Sequence, residues 1–162
     1  YTGQVKDGVR QGHGQLFQVS SNRNYTGYWN KGRLAKEIEI TDPSWTFKGS
    51  IDVTTGNGSG CFAYKDGSKY FGEVNNYKRH GEGTLEFKSG EIISGVWSGN
   101  LNVQSASIID NLGFQWSGDL HNLQPDGLMK VKKPNGIIYD SFWDKGAMVQ
   151  SLSVDVSHRR VH

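Results

Sequence analysis

An all-β fold, an antiparallel meander of about fourteen short strands, follows from three observations. Glycine makes up 22 of the 162 residues, roughly twice the average usage of about 7%. Alanine, the best helix former, occurs only at Ala35, Ala63, Ala106 and Ala147. A five-residue opening also returns at near-constant intervals along the chain, the signature of a repeat architecture.

That opening is Tyr1-Thr2-Gly3-Gln4-Val5. It returns as Tyr25-Thr26-Gly27-Tyr28-Trp29, Phe47-Lys48-Gly49-Ser50-Ile51 and Tyr70-Phe71-Gly72-Glu73-Val74. Looser copies are Ile93-Ser94-Gly95-Val96-Trp97, Trp116-Ser117-Gly118-Asp119-Leu120 and Tyr139-Asp140-Ser141-Phe142-Trp143. The starts at 1, 25, 47, 70, 93, 116 and 139 define seven repeats over residues 1–156, followed by a basic tail at 157–162.

Each repeat reads as a β-hairpin. Tyr70, Gly72 and Val74 are spaced by two and share one strand face. Gly81, Gly83, Leu85 and Phe87 do the same on a second strand, while Glu73, Glu82, Thr84 and Glu86 face the other way. The segment from Asn75 to His80 is expected as a polar loop between these strands, and Lys88-Ser89-Gly90-Glu91 as the turn that ends the repeat. A Gly-x-Gly pair marks the second strand at Gly12/Gly14, Gly58/Gly60 and Gly81/Gly83. The sixth repeat keeps Gly127 with Met129; the second, fifth and seventh read Lys36/Ile38, Gln104/Ala106 and Gln150/Leu152.

Three columns stay apolar throughout. The leading column is Tyr1, Tyr25, Phe47, Tyr70, Ile93, Trp116 and Tyr139. The fifth is Val5, Trp29, Ile51, Val74, Trp97, Leu120 and Trp143. The second-strand column is Leu16, Ile40, Phe62, Leu85, Ile108, Val131 and Val154. Ile38, Ala106, Met129 and Leu152 replace the second glycine with apolar side chains, so that slot also faces inward.

The pattern Tyr-x-Gly-x-Trp…Gly-x-Gly resembles the MORN repeat (membrane occupation and recognition nexus), most closely at Tyr70, Gly72, Gly81, Gly83 and Gly90. The resemblance implies an elongated single-layer sheet curved into a groove, with aromatic rings packed over glycines. It implies a non-enzymatic scaffold or adaptor that holds a protein segment or helix in the groove, or that forms a homodimer. A single layer with an apolar face must curl on itself or take a partner. Trp29, Trp97, Trp116, Trp143, Tyr25, Tyr70 and Tyr139 are the expected groove residues; the alternative is that the tryptophans fill the curled sheet. Trp29 and Trp97 would lie about 29 Å apart before curvature, the span of a helix of about 19 residues.

A phosphoinositide or anionic-lipid adaptor is the alternative reading, through Lys78, Arg79, Lys130, Lys132 and Lys133. With 18 Lys+Arg against 16 Asp+Glu, a net charge of +2, such contact is expected to be weak, and a nucleic-acid partner is not expected. A carbohydrate-active β-solenoid is more remote: Glu37/Glu39 and Glu82/Glu86 are better read as a solvated strand face, and a parallel coil needs three strands where two are found.

No catalytic residue, metal or cofactor is expected. Gly56-Asn57-Gly58-Ser59-Gly60 lacks the Lys-Ser/Thr and helix of a phosphate loop. His13, His80, His121, His158 and His162 show no metal-ligand spacing. Cys61 is alone and outward-facing, and argues against secretion, so the expected place is the cytoplasm, at the cytoskeleton or the membrane periphery. Asn24-Tyr25-Thr26 and Asn57-Gly58-Ser59 are glycosylation sequons. Tyr28, Phe71 and Phe142 are outward aromatics that would form a second contact surface if they clustered. The chain starts in register with a repeat, as a piece of a longer protein would, and leaves no segment over for a catalytic domain.

Overall fold

The computed structural model describes the backbone of residues 1–155 and 160–161 and side chains through Val149. The tail residues His158, Arg159 and His162, and the side chains of Leu152, Val154 and Arg160, lie outside that description. Among the described residues there is no helix. The chain divides into two compact bodies, residues 1–77 and 78–162.

The first body contains β1 (Thr2–Lys6), β2 (Val9–Gln18), β3 (Arg23–Asn30), β4 (Arg33–Thr41), β5 (Trp45–Asp52), β6 (Asn57–Tyr64) and β7 (Lys69–Asn75). The second contains β8 (Lys78–Glu86), β9 (Ile92–Ser98), β10 (Asn102–Ile109), β11 (Gln115–His121), β12 (Gln124–Lys132), β13 (Ile138–Asp144), β14 (Ala147–Asp155) and the two-residue β15 (Arg160–Val161). Within each body every strand pairs antiparallel with its neighbours in sequence, an open meander of hairpins.

The hairpin turns explain why the chain reverses so tightly. Asp7-Gly8, Lys31-Gly32, Asn76-Tyr77, Asn122-Leu123 and Lys145-Gly146 each place two consecutive residues at φ between 49° and 86°. Two positive φ values in a row define the primed turn whose twist matches the flanking strands. The expected loop from Asn75 to His80 is therefore shorter than the sequence suggested. Only Asn76 and Tyr77 turn, β8 begins at Lys78, and His80 lies on a strand.

Most residues of the inward columns are buried, while Leu16, Ile108, Trp116, Tyr139 and Trp143 are half-buried. Tyr25, Phe47, Tyr70 and Ile93 are buried in the leading column; Trp29, Ile51, Val74, Trp97 and Leu120 in the fifth; Ile40, Phe62, Leu85 and Val131 in the third. Ile38, Ala106 and Met129, which replace the second glycine, are buried too. Tyr1, just ahead of the first strand, and Val5, on it, remain exposed. In the first body the sheet's inner face is covered by its own rings: Phe62 packs against Phe47, Trp45 and Tyr64 with centroids 5.0, 5.0 and 5.7 Å away.

Ring-over-glycine packing follows the expected pattern and occurs within a repeat. A Cβ on Gly14 would lie 2.5 Å from Cζ of Tyr1, and one on Gly60 2.6 Å from Cζ of Phe47. The Tyr1 and Tyr70 hydroxyls donate to the carbonyls of Gln4 and Glu73, at 2.8 and 2.7 Å. Where Ile38 fills the glycine slot, the Tyr25 hydroxyl donates to Gln18 Oε1 instead, at 3.2 Å.

The tryptophans of the fifth column obey a second rule, and it crosses repeat borders. Trp29, Trp97 and Trp143 stand directly across from Gly12, Gly81 and Gly127 of the preceding repeat. Those glycines adopt φ of 87°, 59° and 82°, a left-handed conformation that disfavours any Cβ and leaves a bare patch of backbone that an indole can cover. Val74, by contrast, faces Gly58 in an unbroken ladder. The indole N–H groups then need acceptors. Trp97 Nε1 donates to the carbonyl of Gly83 at 3.0 Å. Trp143 Nε1 donates to Ser141 Oγ at 2.8 Å, and that hydroxyl donates to the carbonyl of Met129 at 3.3 Å. Met129 occupies the slot of Gly83, so the Ser141 hydroxyl extends the same connection by one link. Trp29 Nε1 has no acceptor among the described residues.

Candidate binding groove

The first body holds a concave groove of about 1150 Å³, lined by β2, β3, β4, β5, the loop after β5 and Tyr77. Leu16, Trp29, Leu34 and Ile51 supply apolar lining; Arg10, Arg23 and Arg33 supply three cations, against the one acid Asp52. Most of these residues sit on four consecutive strands that the meander pairs side by side.

Each charge has a definite state of pairing. Asp52 Oδ1 accepts from the backbone N–H of Thr54 and Thr55 at 2.8 and 3.2 Å, so this carboxylate organises its own loop. Arg23 Nε donates to Asp42 Oδ2 at 2.8 Å, and its guanidinium lies 4.9 and 4.6 Å from the ring centroids of Trp45 and Tyr77. Burial disfavours the charged guanidinium, but hydrogen bonds to Asp42 and Tyr25 and the charge of Asp42 outweigh it and hold its pKa above the ordinary value. Tyr77 stacks on Trp45 with centroids 5.9 Å apart and donates to the carbonyl of Val53. Its burial pushes the phenol pKa up to about 12.

Arg10 differs. Its guanidinium lies 5.3 Å from the Tyr1 ring centroid and 5.2 Å from that of Trp29, a cation–π arrangement, and none of the ion pairs among the described residues includes it. Arg79 is its counterpart at the tenth position of the fourth repeat. That guanidinium lies 5.0 Å from the Trp97 ring and donates through Nε to the Asn100 carbonyl at 3.1 Å, with Nη2 on the same oxygen.

The residues expected to form the groove divide accordingly. Tyr25 and Trp29 line it, although Trp29 is only 3% exposed. Tyr70 and Trp97 are interior, at 0% and 1% exposure, so neither presents a surface to a partner. Trp116 and Trp143 are half-buried in the second body, with ring centroids 6.2 Å apart, and Tyr139 is half-buried under Lys133 Nζ at 5.5 Å. The tryptophan column therefore mainly fills the sheet.

The cations considered for lipid contact do not act as one set. Arg79 is a correction: it is buried and bonded to Asn100 because its position beside Trp97 is interior. Lys130 pairs with Asp140 at 3.3 Å, and Lys78 and Lys132 are exposed. The outward aromatics of the first body do not cluster. Tyr28 sits between His13, at 5.5 Å, and Lys36, at 4.5 Å, while Phe71 pairs with Cys61 on a different cross-strand row. Burial pushes the Cys61 thiol pKa up, with Lys69 and Lys48 opposing. Glu37 lies beside His13 and Glu39 beside Lys48, separate partners for two carboxylates that sequence spacing had put together.

Sequence reasoning missed Arg10, Arg23, Arg33 and Tyr77 as groove residues. The available signal was that Arg10 and Arg79 share a repeat position ahead of a fifth-column tryptophan.

A family model described as MORN repeat matches residues 1–22, 57–69 and 70–92. No curated protein matches the sequence.

Proposed function

This chain carries MORN repeats, and from that premise we propose that it is a non-enzymatic scaffold module that docks a protein segment in the groove of its first body. MORN repeats are modules commonly associated with scaffolds that bind proteins or membranes. The observation that carries the reading is the groove itself: at about 1150 Å³ it exceeds the roughly 300–1,000 Å³ of small-molecule sites, and it joins an apolar lining to polar walls as segment-binding grooves do. Cytoplasmic residence belongs to the same proposal, since a lone free thiol such as Cys61 suits a reducing compartment.

The test is to screen the chain against short random peptides, then repeat the screen with Thr54→Trp. Thr54 is an exposed loop residue lining the groove, and an indole there would obstruct part of it. Peptides that bind the parent chain and are lost on Thr54→Trp, with the fold unchanged by circular dichroism, support the reading. Peptides that tolerate the substitution place the docking surface elsewhere.

A further inference from the structure

We propose that the groove of the first body selects an acidic segment, one that brings Asp or Glu side chains to Arg10 and Arg33; this rests on the segment-docking reading above. The charges of the lining do not cancel. Three arginines face one acid, and that acid is engaged by its own loop. Arg23 is neutralised by Asp42. Arg10 and Arg33 remain without a carboxylate within ion-pair distance among the described residues.

The comparison of equivalent positions sharpens the point. Arg79 and Arg10 both sit beside the ring of the next repeat's fifth-column tryptophan. Arg79 spends its N–H donors on the Asn100 carbonyl. In the second repeat the position of Asn100 is Gly32, which donates its own N–H to the Arg10 carbonyl at 2.9 Å. The same arginine that closes a structural contact in one body is thus held in place by ring faces in the other, with its fork of donors left over. A guanidinium fixed on aromatic faces matches a carboxylate in bidentate geometry. Arg33, exposed at the start of β4, adds a second cation on the same groove. Leu16, Leu34 and Ile51 would take apolar side chains between the acids, so the occupant is a segment with acidic and aliphatic residues interspersed.

The experiment uses the full chain with two labelled synthetic peptides, one of alternating Glu and Leu and one of alternating Lys and Leu, together with vesicles containing phosphatidylserine and the random-peptide screen described above. The Glu-Leu peptide is expected to bind at least about tenfold more tightly than the Lys-Leu peptide, and Arg33→Glu to weaken it by about tenfold or more. Arg10→Gln is expected to act in the same direction. Lys65→Glu, the same charge change at an exposed turn outside the lining, is expected to leave binding intact. Thermal melts of each variant separate loss of binding from loss of fold, and Arg33 is the decisive position because it is exposed. Random-screen binders that lack acidic bias and tolerate Arg33→Glu would overturn the acidic-segment assignment while leaving segment docking standing. No peptide binding of any kind would overturn both. Binding to the vesicles alone, abolished by Arg33→Glu, would overturn the peptide proposal in favour of a lipid headgroup, and self-association of the chain that is abolished by Arg33→Glu, with no binding of the Glu-Leu peptide, would overturn it in favour of a second copy.

Discussion

The ring-over-glycine packing makes a quantitative demand on Gly60. A Cβ placed there would lie 2.5 Å from the carbonyl oxygen of Lys48, 2.6 Å from Phe47 Cζ and 2.9 Å from the Gly49 Cα. Ordinary contact begins near 3.5 Å, so the backbone of β5 and the Phe47 ring must both retreat by most of an ångström. Phe47 is fully buried against Phe62 and has nowhere to swing. Gly60→Ala is therefore expected to cost about 1–3 kcal/mol, the range for overpacking. Taking about 2 kcal/mol and a urea dependence of roughly 2 kcal/mol per molar, the unfolding midpoint falls by about 1 M. Gly14→Ala is the informative comparison. Its Cβ would meet the Tyr1 hydroxyl and ring, but Tyr1 is 40% exposed and can turn into solvent, so its cost is expected to be clearly smaller. Urea melts followed by tryptophan fluorescence, with Ser59→Ala as the outward neighbour, read all three. Equal midpoints for Gly60→Ala and Ser59→Ala would refute the face assignment, and equal costs at Gly60 and Gly14 would refute the argument from the mobility of the ring.

Ser141→Ala removes the link between Trp143 Nε1 and the Met129 carbonyl, taking this partner from the half-buried indole N–H and from the buried carbonyl. The expected cost is about 2 kcal/mol, or a melting temperature lower by roughly 4–8 °C for a chain of this size, against no change for Ser117→Ala on the exposed row. Tyr77 is expected to ionise near pH 12 rather than near 10, because burial raises its pKa. Its stabilising contribution is then complete below about pH 10 and declines between about 10 and 12, as the unfolded chain loses the phenol proton first. An ultraviolet absorbance titration of the parent chain against Tyr77→Phe checks this, and a missing transition near pH 10 rather than near 12 would contradict it.

Much of the fold was legible because strand geometry has so few options. Alternation with a period of two assigns every residue of a short strand to one face, so Ile38, Ala106 and Met129 could be placed inside from their apolar character alone. The turns were less legible. Asn76-Tyr77 contains no glycine, yet both residues adopt positive φ, so nothing local marked the reversal as two residues long. The groove was legible only in outline. Tyr25 and Trp29 were found from the columns, but Arg10, Arg23 and Arg33 sit on three different strands, and their convergence depends on the cross-strand pairing of β2, β3 and β4. Arg79 read as a lipid-facing cation because its sequence context shows a basic pair at a turn; the waiting carbonyl of Asn100, 21 residues on, leaves no local trace.

The tryptophan that covers the glycine of the preceding repeat also determines where this chain can be divided. Read by its opening motif, the repeat starts at Tyr70 or Ile93; read by its cohesive contacts, it runs from one hairpin turn to the next. A cut at the motif border before Ile93 would part Gly81 from Trp97, whereas a cut in the turn after Ser98 would keep that pair on one fragment. The border between the two compact bodies, at Tyr77 and Lys78, obeys the second frame and falls inside the fourth motif. Duplication, deletion or grafting of repeats in such an array should therefore be phased on the turns, so that each indole travels with the bare backbone it shields.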